Sequence, residues 1–415
     1  MTDPKQPSKA TFSGEQKVVL AILAFLQFTI ILDFMIVSPL GAIVMPALQI
    51  SPHQFGFAVS AYAFSAAFSG IAAAGFADRF DRKRLLLFFY GGFILGTLLC
   101  ALAPTYHALL AARIVTGLFG GVIGSIVMAI ATDLFPLEVR GRVMGFVQSA
   151  FAGAQVIGLP AGIYFANKWN WHAPFFAIVA VALPAFFVIM AWMKPVDAHL
   201  SVASDRGSPW RHLATTLLDP RYTLAFAVTM ILATGGFMLM PFGSAYIVNN
   251  VGLSMESLST IYLVTGLFTV VTGPLIGMAS DRIGKFRTFF AGTVLSIVMV
   301  AIWTNLGHAT LATVVVVNVI LFVGIFSRII PSQALISAIP APTHRGSFNA
   351  VGASLQQLSG GVASVVAGMI VVQEAGGPLQ RFDVVGDIVM ATAAVSLVLM
   401  YFINRAVVAR QAKPA

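Results

Sequence analysis

Three charged side chains fall inside stretches that are otherwise apolar: Asp33 within 17–47, Arg113 within 107–133 and Arg328 within 309–338. A charge in hydrocarbon costs about 2.5–3.5 kcal/mol on insertion scales, so each should face a partner, water or the interior of a helix bundle. A carboxylate such as Asp33 is a natural proton carrier, because burial opposes its charge while a nearby cation favours it. Arginine keeps its charge and offers five N–H donors. That suits Arg113 to pairing with Asp33, and Arg328 to holding an anionic or strongly polar group. Other chemistries lack residues. The single cysteine, Cys100, lies among leucines and reads as a small buried hydrophobe. All seven histidines fall in loops or at the ends of apolar runs, and no phosphate-binding, dinucleotide or activated-serine pattern occurs. No cofactor, metal site or enzymatic centre is expected, and ATP is not the expected energy source.

The elements that must position these residues follow from composition. The 415 residues are 58% hydrophobic and only 9% charged, with a mean hydropathy of +0.91. Soluble domains are about 25% charged, so this chain cannot cover a water-facing surface. Spanning a bilayer takes about 20 apolar residues per helix. The expected fold class is an all-α polytopic membrane protein with spans near 17–47, 55–76, 85–103, 107–133, 143–166, 172–193, 222–248, 257–279, 288–305, 309–338, 348–372 and 384–405. Counting rise along the helices places Asp33 about 24 Å and Arg113 about 30 Å from one face, so the two are within pairing range. Arg328 comes out about 15 Å in, near the midplane, with no acidic residue inside spans seven to eleven. Its alternatives are helix carbonyls, Ser327, Ser332 or a long-range pair with Asp33.

The net charge of +9 is distributed by topology. With twelve spans, one set of alternate loops and both termini hold 20 of the 24 Lys and Arg, and the other set holds Lys168 and Arg381. By the positive-inside rule the basic set is cytoplasmic, with both termini inside, and a nucleic-acid partner is not expected. Trp169, Trp171, Trp192 and Trp303 fall at expected helix ends, as interfacial belts require. The N-terminal residues read as a tail leading into the first span and not as a signal peptide.

An internal repeat is also visible. Asp78-Arg79-Phe80-Asp81-Arg82-Lys83-Arg84 follows span two, and Asp281-Arg282-Ile283-Gly284-Lys285-Phe286-Arg287 follows span eight, 203 residues later. Arg140-Gly141 and Arg345-Gly346 recur at 205. Two six-helix halves are expected, 1–193 and 222–415, joined by a polar cytoplasmic loop at 194–221.

These residues resemble the major facilitator superfamily, whose loop between helices two and three reads Gly-x-x-x-Asp-Arg-x-Gly-Arg-Lys/Arg. Asp78, Arg79, Arg82 and Lys83 match, while Ala74 and Asp81 stand where the family has glycines. The second copy matches at Gly277, Asp281, Arg282 and Gly284. The resemblance implies a cytoplasmic latch made from these residues together with Asp133, which can pair with Arg82 or Arg79. Asp78 would face the positive N-terminus of the eleventh helix; the alternative is that these charges only anchor loops in the inner leaflet. Arg113-Ile-Val-Thr-Gly117 looks like the family's fourth-helix Arg-x-x-x-Gly motif, which implies a proton-coupling role for Asp33 and Arg113, against a static pair. Gly158, Pro160 and Gly162 resemble a variant of the antiporter motif, closest to the arabinose-efflux-permease-like branch of twelve-helix drug:proton antiporters.

Gln155, Gln356 and Gln357 are the preferred polar cavity residues with Arg328, ahead of Gln27, Tyr62 and Gln148. Phe237, Met238, Met240 and Phe242 offer a deformable apolar lining, or ordinary core. The leading expectation is a monomeric, proton-coupled exporter of small amphipathic or polar organic compounds in the bacterial inner membrane, working by alternating access. Its partners would be the substrate, protons and the lipid bilayer. The alternatives are proton-symport uptake or uncoupled exchange of an organic anion and, from another class, a non-transporting receptor or scaffold.

Overall fold

The computed structural model of the chain describes residues 13–74, 76–135, 137–197, 200, 214–340, 345–373 and 377–411. Most of the connecting loop lies outside them. Long helices dominate, as a chain surrounded by lipid requires: only a helix or a closed barrel satisfies its backbone polar groups without water. The first expected span is broken into α1 (Gly14–Ile36) and the short α2 (Gly41–Leu48). Pro39, which has no N–H to donate, falls between them and ends the first helix. Then come α3 (Pro52–Ala74), α4 (Arg82–Leu102) and α5 (Tyr106–Leu134).

The fifth expected span comprises α6 (Leu137–Gly153), a π-helical turn (Ala154–Gly158) and α7 (Leu159–Lys168). Pro160 lies just past that turn and cannot donate to the preceding carbonyls; widening to π geometry absorbs the defect. α8 (Ala173–Trp192) completes the first series. The second series is α9 (Pro220–Asn249), α10 (Met255–Ile283), α11 (Lys285–Thr304), α12 (Leu311–Ser337), α13 (Arg345–Ile370) and α14 (Phe382–Gln411). An unexpected two-residue antiparallel pair, Val372–Gln373 (β1) with Leu379–Gln380 (β2), sits between α13 and α14.

Among the described residues eleven helices are long and apolar enough to cross a membrane. The helix in the place of the eleventh expected span, α13, is 26 residues long but carries Gln356, Gln357 and several serines. Helix starts coincide with capping side chains: Ser13, Thr105, Ser254 and Thr310 each accept a backbone N–H from the first turn.

Packing within the first series joins α3 and α4 to α5, α4 to α8 and α1 to α6; within the second, α12 joins α11 and α10, while α14 joins α9 and α11. The two series meet along α3 and α13, and through α10 against α7 and the π turn. The connection 76–81 between α3 and α4 and the turn at Gly284 between α10 and α11 mark one end of the molecule, the basic end. At the opposite end one apolar core runs across both series, containing Ile36, Leu40 and Phe55 with Phe242, Ala367 and Phe382. Toward the basic end this core divides into separate clusters, around Leu23, Phe89 and Ile130 in the first series and around Val228, Phe289 and Met400 in the second.

Glycines show where helices of the two series touch. A Cβ on Gly56 would lie 2.7 Å from Ser364 O, and one on Gly266 3.0 Å from Gln155 O. Asn167 of α7 donates to Met255 O of α10 at 2.9 Å. Gly145 of α6 and Gly273 and Gly277 of α10, nearer the basic end, have nothing within 4 Å of where a Cβ would stand. Contact between α3 and α13 continues toward the basic end, where a Cβ on Gly70 would lie 3.3 Å from Ser354 Oγ.

The tryptophan belt is only half present. Trp169 and Trp192 are exposed at helix ends. Trp171 is buried, stacked on His172, and Trp303 packs between Tyr246 and Phe382.

Candidate functional site

Asp33 and Arg113 meet as the sequence led us to expect. Arg113 Nη1 donates to Asp33 Oδ2 at 2.8 Å and approaches the Asp33 carbonyl at 3.4 Å. Both residues are 0% exposed. Thr97 of α4 donates to the other carboxylate oxygen at 3.0 Å, so both oxygens are bonded. The guanidinium carbon lies 4.6 Å from the centre of the Tyr62 ring on α3, a cation–π contact. Four helices thus converge on one buried ion pair.

Small residues make this convergence possible. A Cβ on Gly117 would overlap Ser65 Oγ and the Tyr62 carbonyl, so α5 rests directly on α3 there and brings the ring beneath Arg113. A Cβ on Gly96 would lie 2.7 Å from Thr116. Gly158 and Gly162 seat Leu32 and Ile36, which flank the carboxylate residue on α1. The helix-five glycines therefore act by packing, and Pro160 by shaping the π turn beside them.

Arg328 lies in the second series and stands apart from this cluster. It is 9% exposed, and its Nη2 donates to Ser396 Oγ of α14 at 3.1 Å. Its Nε has no hydrogen-bond partner. The observed partner is neither Ser327 nor Ser332, and Asp33 is engaged by Arg113. Gln155 sits in the π turn, buried, with its Oε1 lacking a partner. On α13, Gln356 is exposed and Gln357 half-buried. Phe237 and Met240 border a cavity of about 30 Å³ between the two series, whereas Met238 and Phe242 are core.

At the basic end, Arg82 Nε donates to Asp133 Oδ2 at 3.3 Å, and Arg82 Nη1 to Ala77 O at 3.2 Å. Lys83 Nζ reaches Met190 O at 3.0 Å, while Arg79 is exposed. Asp81, standing where a glycine was expected, caps α4 by accepting from the Lys83 and Arg84 N–H groups. In the second copy Asp281 pairs locally with Lys285 at 3.2 Å, Arg282 is exposed, and Gly284 has φ +101°. That backbone conformation explains the glycine. The side chains of Asp78 and Arg345 lie outside the described residues. Sequence reasoning missed Thr97, the Tyr62 ring contact, the Asp81 cap, and Arg140, which bonds the Phe135 and Thr132 carbonyls closing α5. Only Asp81, directly before a helix start, carried a readable signal.

Two series of membrane-length helices around a buried charge pair define a polytopic membrane protein with the architecture of a transporter. The family model described as Major Facilitator Superfamily matches residues 23–364 and 225–415, and the chain belongs to that superfamily. Its relatives include Multidrug resistance protein 2 of Bacillus subtilis, 24% identical over 66% of this chain and 70% of that one. AraJ of Escherichia coli is 24% identical over 85% of this chain and 86% of its own length. The crystal structure of a bacterial homologue of the human lysosomal transporter Spinster, inward-facing and occupied, superposes with a TM-score of 0.74 at 14% identity. That match covers 95% of this chain and 98% of the other, and it shows the shared fold.

Proposed function

We propose that this transporter exports small amphipathic or polar organic compounds in exchange for protons, by alternating access between halves 1–193 and 222–415, with 194–221 as their link. The observation that carries the reading is the fully buried Asp33–Arg113 pair. A carboxylate with a single cationic partner can lose or gain a proton as its surroundings open, and the arginine holds the site's charge in balance. The name of the multidrug relative supports efflux of organic compounds.

In this reading the basic end is cytoplasmic, both termini lie inside a bacterial inner membrane, and a monomer suffices. The apolar core shared by both series at the opposite end, against separate clusters toward the basic end, supports reading the observed state as open to the cytoplasm. Arg328, Gln155, Gln356 and Gln357 supply polar contacts to substrate. The unused donor on Arg328 and the unused acceptor on Gln155 support the first two of these assignments. Asp78, Arg79, Arg82, Lys83, Asp133, Asp281, Arg282 and Gly284 form the latch that closes the basic end in the opposite state.

The test uses everted vesicles with a quenched pH-sensitive dye, challenged with cationic drugs, sugars and organic anions. Dequenching by a compound with the wild type, lost in Asp33→Asn, is the expected result. Transport of a labelled compound that moves no protons would overturn the coupling. A second reading is favoured by one observation: Arg328 is a buried cation with no carboxylate bonded to it among the described residues. On that account the protein exchanges or takes up organic anions, and Arg328→Gln would abolish uptake of anions alone.

A further inference from the structure

The ion pair is connected to the opposite half by aromatic rings. Arg113 lies over the Tyr62 face at 4.6 Å. Tyr62 contacts Phe34 with centroids 5.2 Å apart, and Phe34 contacts Phe237 of α9 at 5.6 Å. Phe34 directly follows Asp33 in the chain. Phe237 is in turn pressed on α13: a Cβ on Gly360 would lie 2.6 Å from its ring, and Ser364 Oγ donates to its carbonyl at 3.0 Å. The Phe34–Phe237 contact therefore bridges the two halves. A cavity of about 30 Å³ lies beside both rings, bordered also by Met35, Val59 and Met240.

We propose that Tyr62 and Phe34 are positioning residues that carry the charge state of the Asp33–Arg113 pair to Phe237, and so set how firmly the halves hold together at the closed end. The guanidinium is shared between a carboxylate and a ring face. When Asp33 is neutral, the ring face becomes the main compensation for the arginine's charge, and Tyr62 is drawn toward it. Phe34, packed between Tyr62 and Phe237, moves with that ring. The ionisable groups packed around Asp33 are Arg113 of α5, Tyr62 of α3 and Cys100 of α4. The inference rests on the reading of Asp33 as the coupling carboxylate.

The test needs no substrate. In a Cys100→Ala background, spin labels on Gly145→Cys of α6 and Gly277→Cys of α10 report the opening at the basic end by pulsed electron resonance. Asp33→Asn serves as the neutral form. It is expected to change the ratio of open to closed distances by about threefold or more, and to do so equally in Tyr62→Phe, which keeps the ring. In Tyr62→Leu and in Phe237→Leu that response should vanish, with each variant eluting as a folded monodisperse species. An undiminished response in both leucine variants would overturn the relay while leaving Asp33 as the coupling residue. No response to Asp33→Asn in the parent protein would overturn the coupling role of Asp33 and the relay with it.

Discussion

Arg113 has a carboxylate on one side and a ring face on the other, with no water-exposed surface. Removing one partner of such a pair leaves the other buried and uncompensated, which typically costs about 3–5 kcal/mol. Arg113→Ala should therefore lower the melting temperature in detergent far more than the neutral double variant Asp33→Asn with Arg113→Gln, and both should lose proton coupling. The contrast separates stability from function, because a pair needed only for packing would lose transport in proportion to stability. Asp81 makes a milder case. Asp81→Ala removes the cap of α4 and should cost about 0.5–2 kcal/mol, whereas Asp81→Gly should cost only a few tenths. Thermal unfolding of the two variants side by side checks the ranking. Both charges in the buried pair were legible from their apolar surroundings; Thr97 was not, since a threonine in a membrane helix carries no mark of which oxygen it serves.

The helices themselves follow from long apolar stretches with capping residues at their starts. Their interruptions follow from proline, at residue 39 between α1 and α2 and at residue 160 beside the π turn. What no single helix reveals is which glycines touch another element. Gly56 and Gly145 look alike in sequence, yet a side chain on the first meets the α13 backbone at 2.7 Å and one on the second meets nothing. Gly56→Leu is thus expected to force α3 from α13 and raise thiol labelling of a Val59→Cys reporter several-fold, an effect of about 1–3 kcal/mol typical of overpacking. Gly145→Leu should leave that labelling unchanged. Equal labelling in both would mean that the α3–α13 contact does not close this end. The two arms of the repeat also diverge as elements: the first loop ties α4 to α5 through Arg82 and Asp133, while among the described residues the second forms the local Asp281–Lys285 pair.

As a whole, the molecule shares one apolar core at one end and has separate clusters toward the other, and alternating access would require that arrangement to reverse. Asn167 and Met255 span the joined end. With Cys100→Ala, a short thiol crosslinker between Asn167→Cys and Met255→Cys should stop transport and a reductant should restore it. Transport that continues while crosslinked would exclude opening at this end as part of the cycle. Composition determined the membrane class, and apolar runs of about 20 residues the helical architecture, because a chain this poor in charge must satisfy its backbone internally. The 203-residue repeat added the superfamily resemblance, and two charges in apolar stretches led to the pair. Other features depended on contacts between residues far apart in the chain. The ring path from Arg113 to Phe237, the Ser396 partner of Arg328 and the closed end all arise where separate helices pack. Which faces meet is set by the fit of many side chains at once, and no local stretch of sequence holds that information.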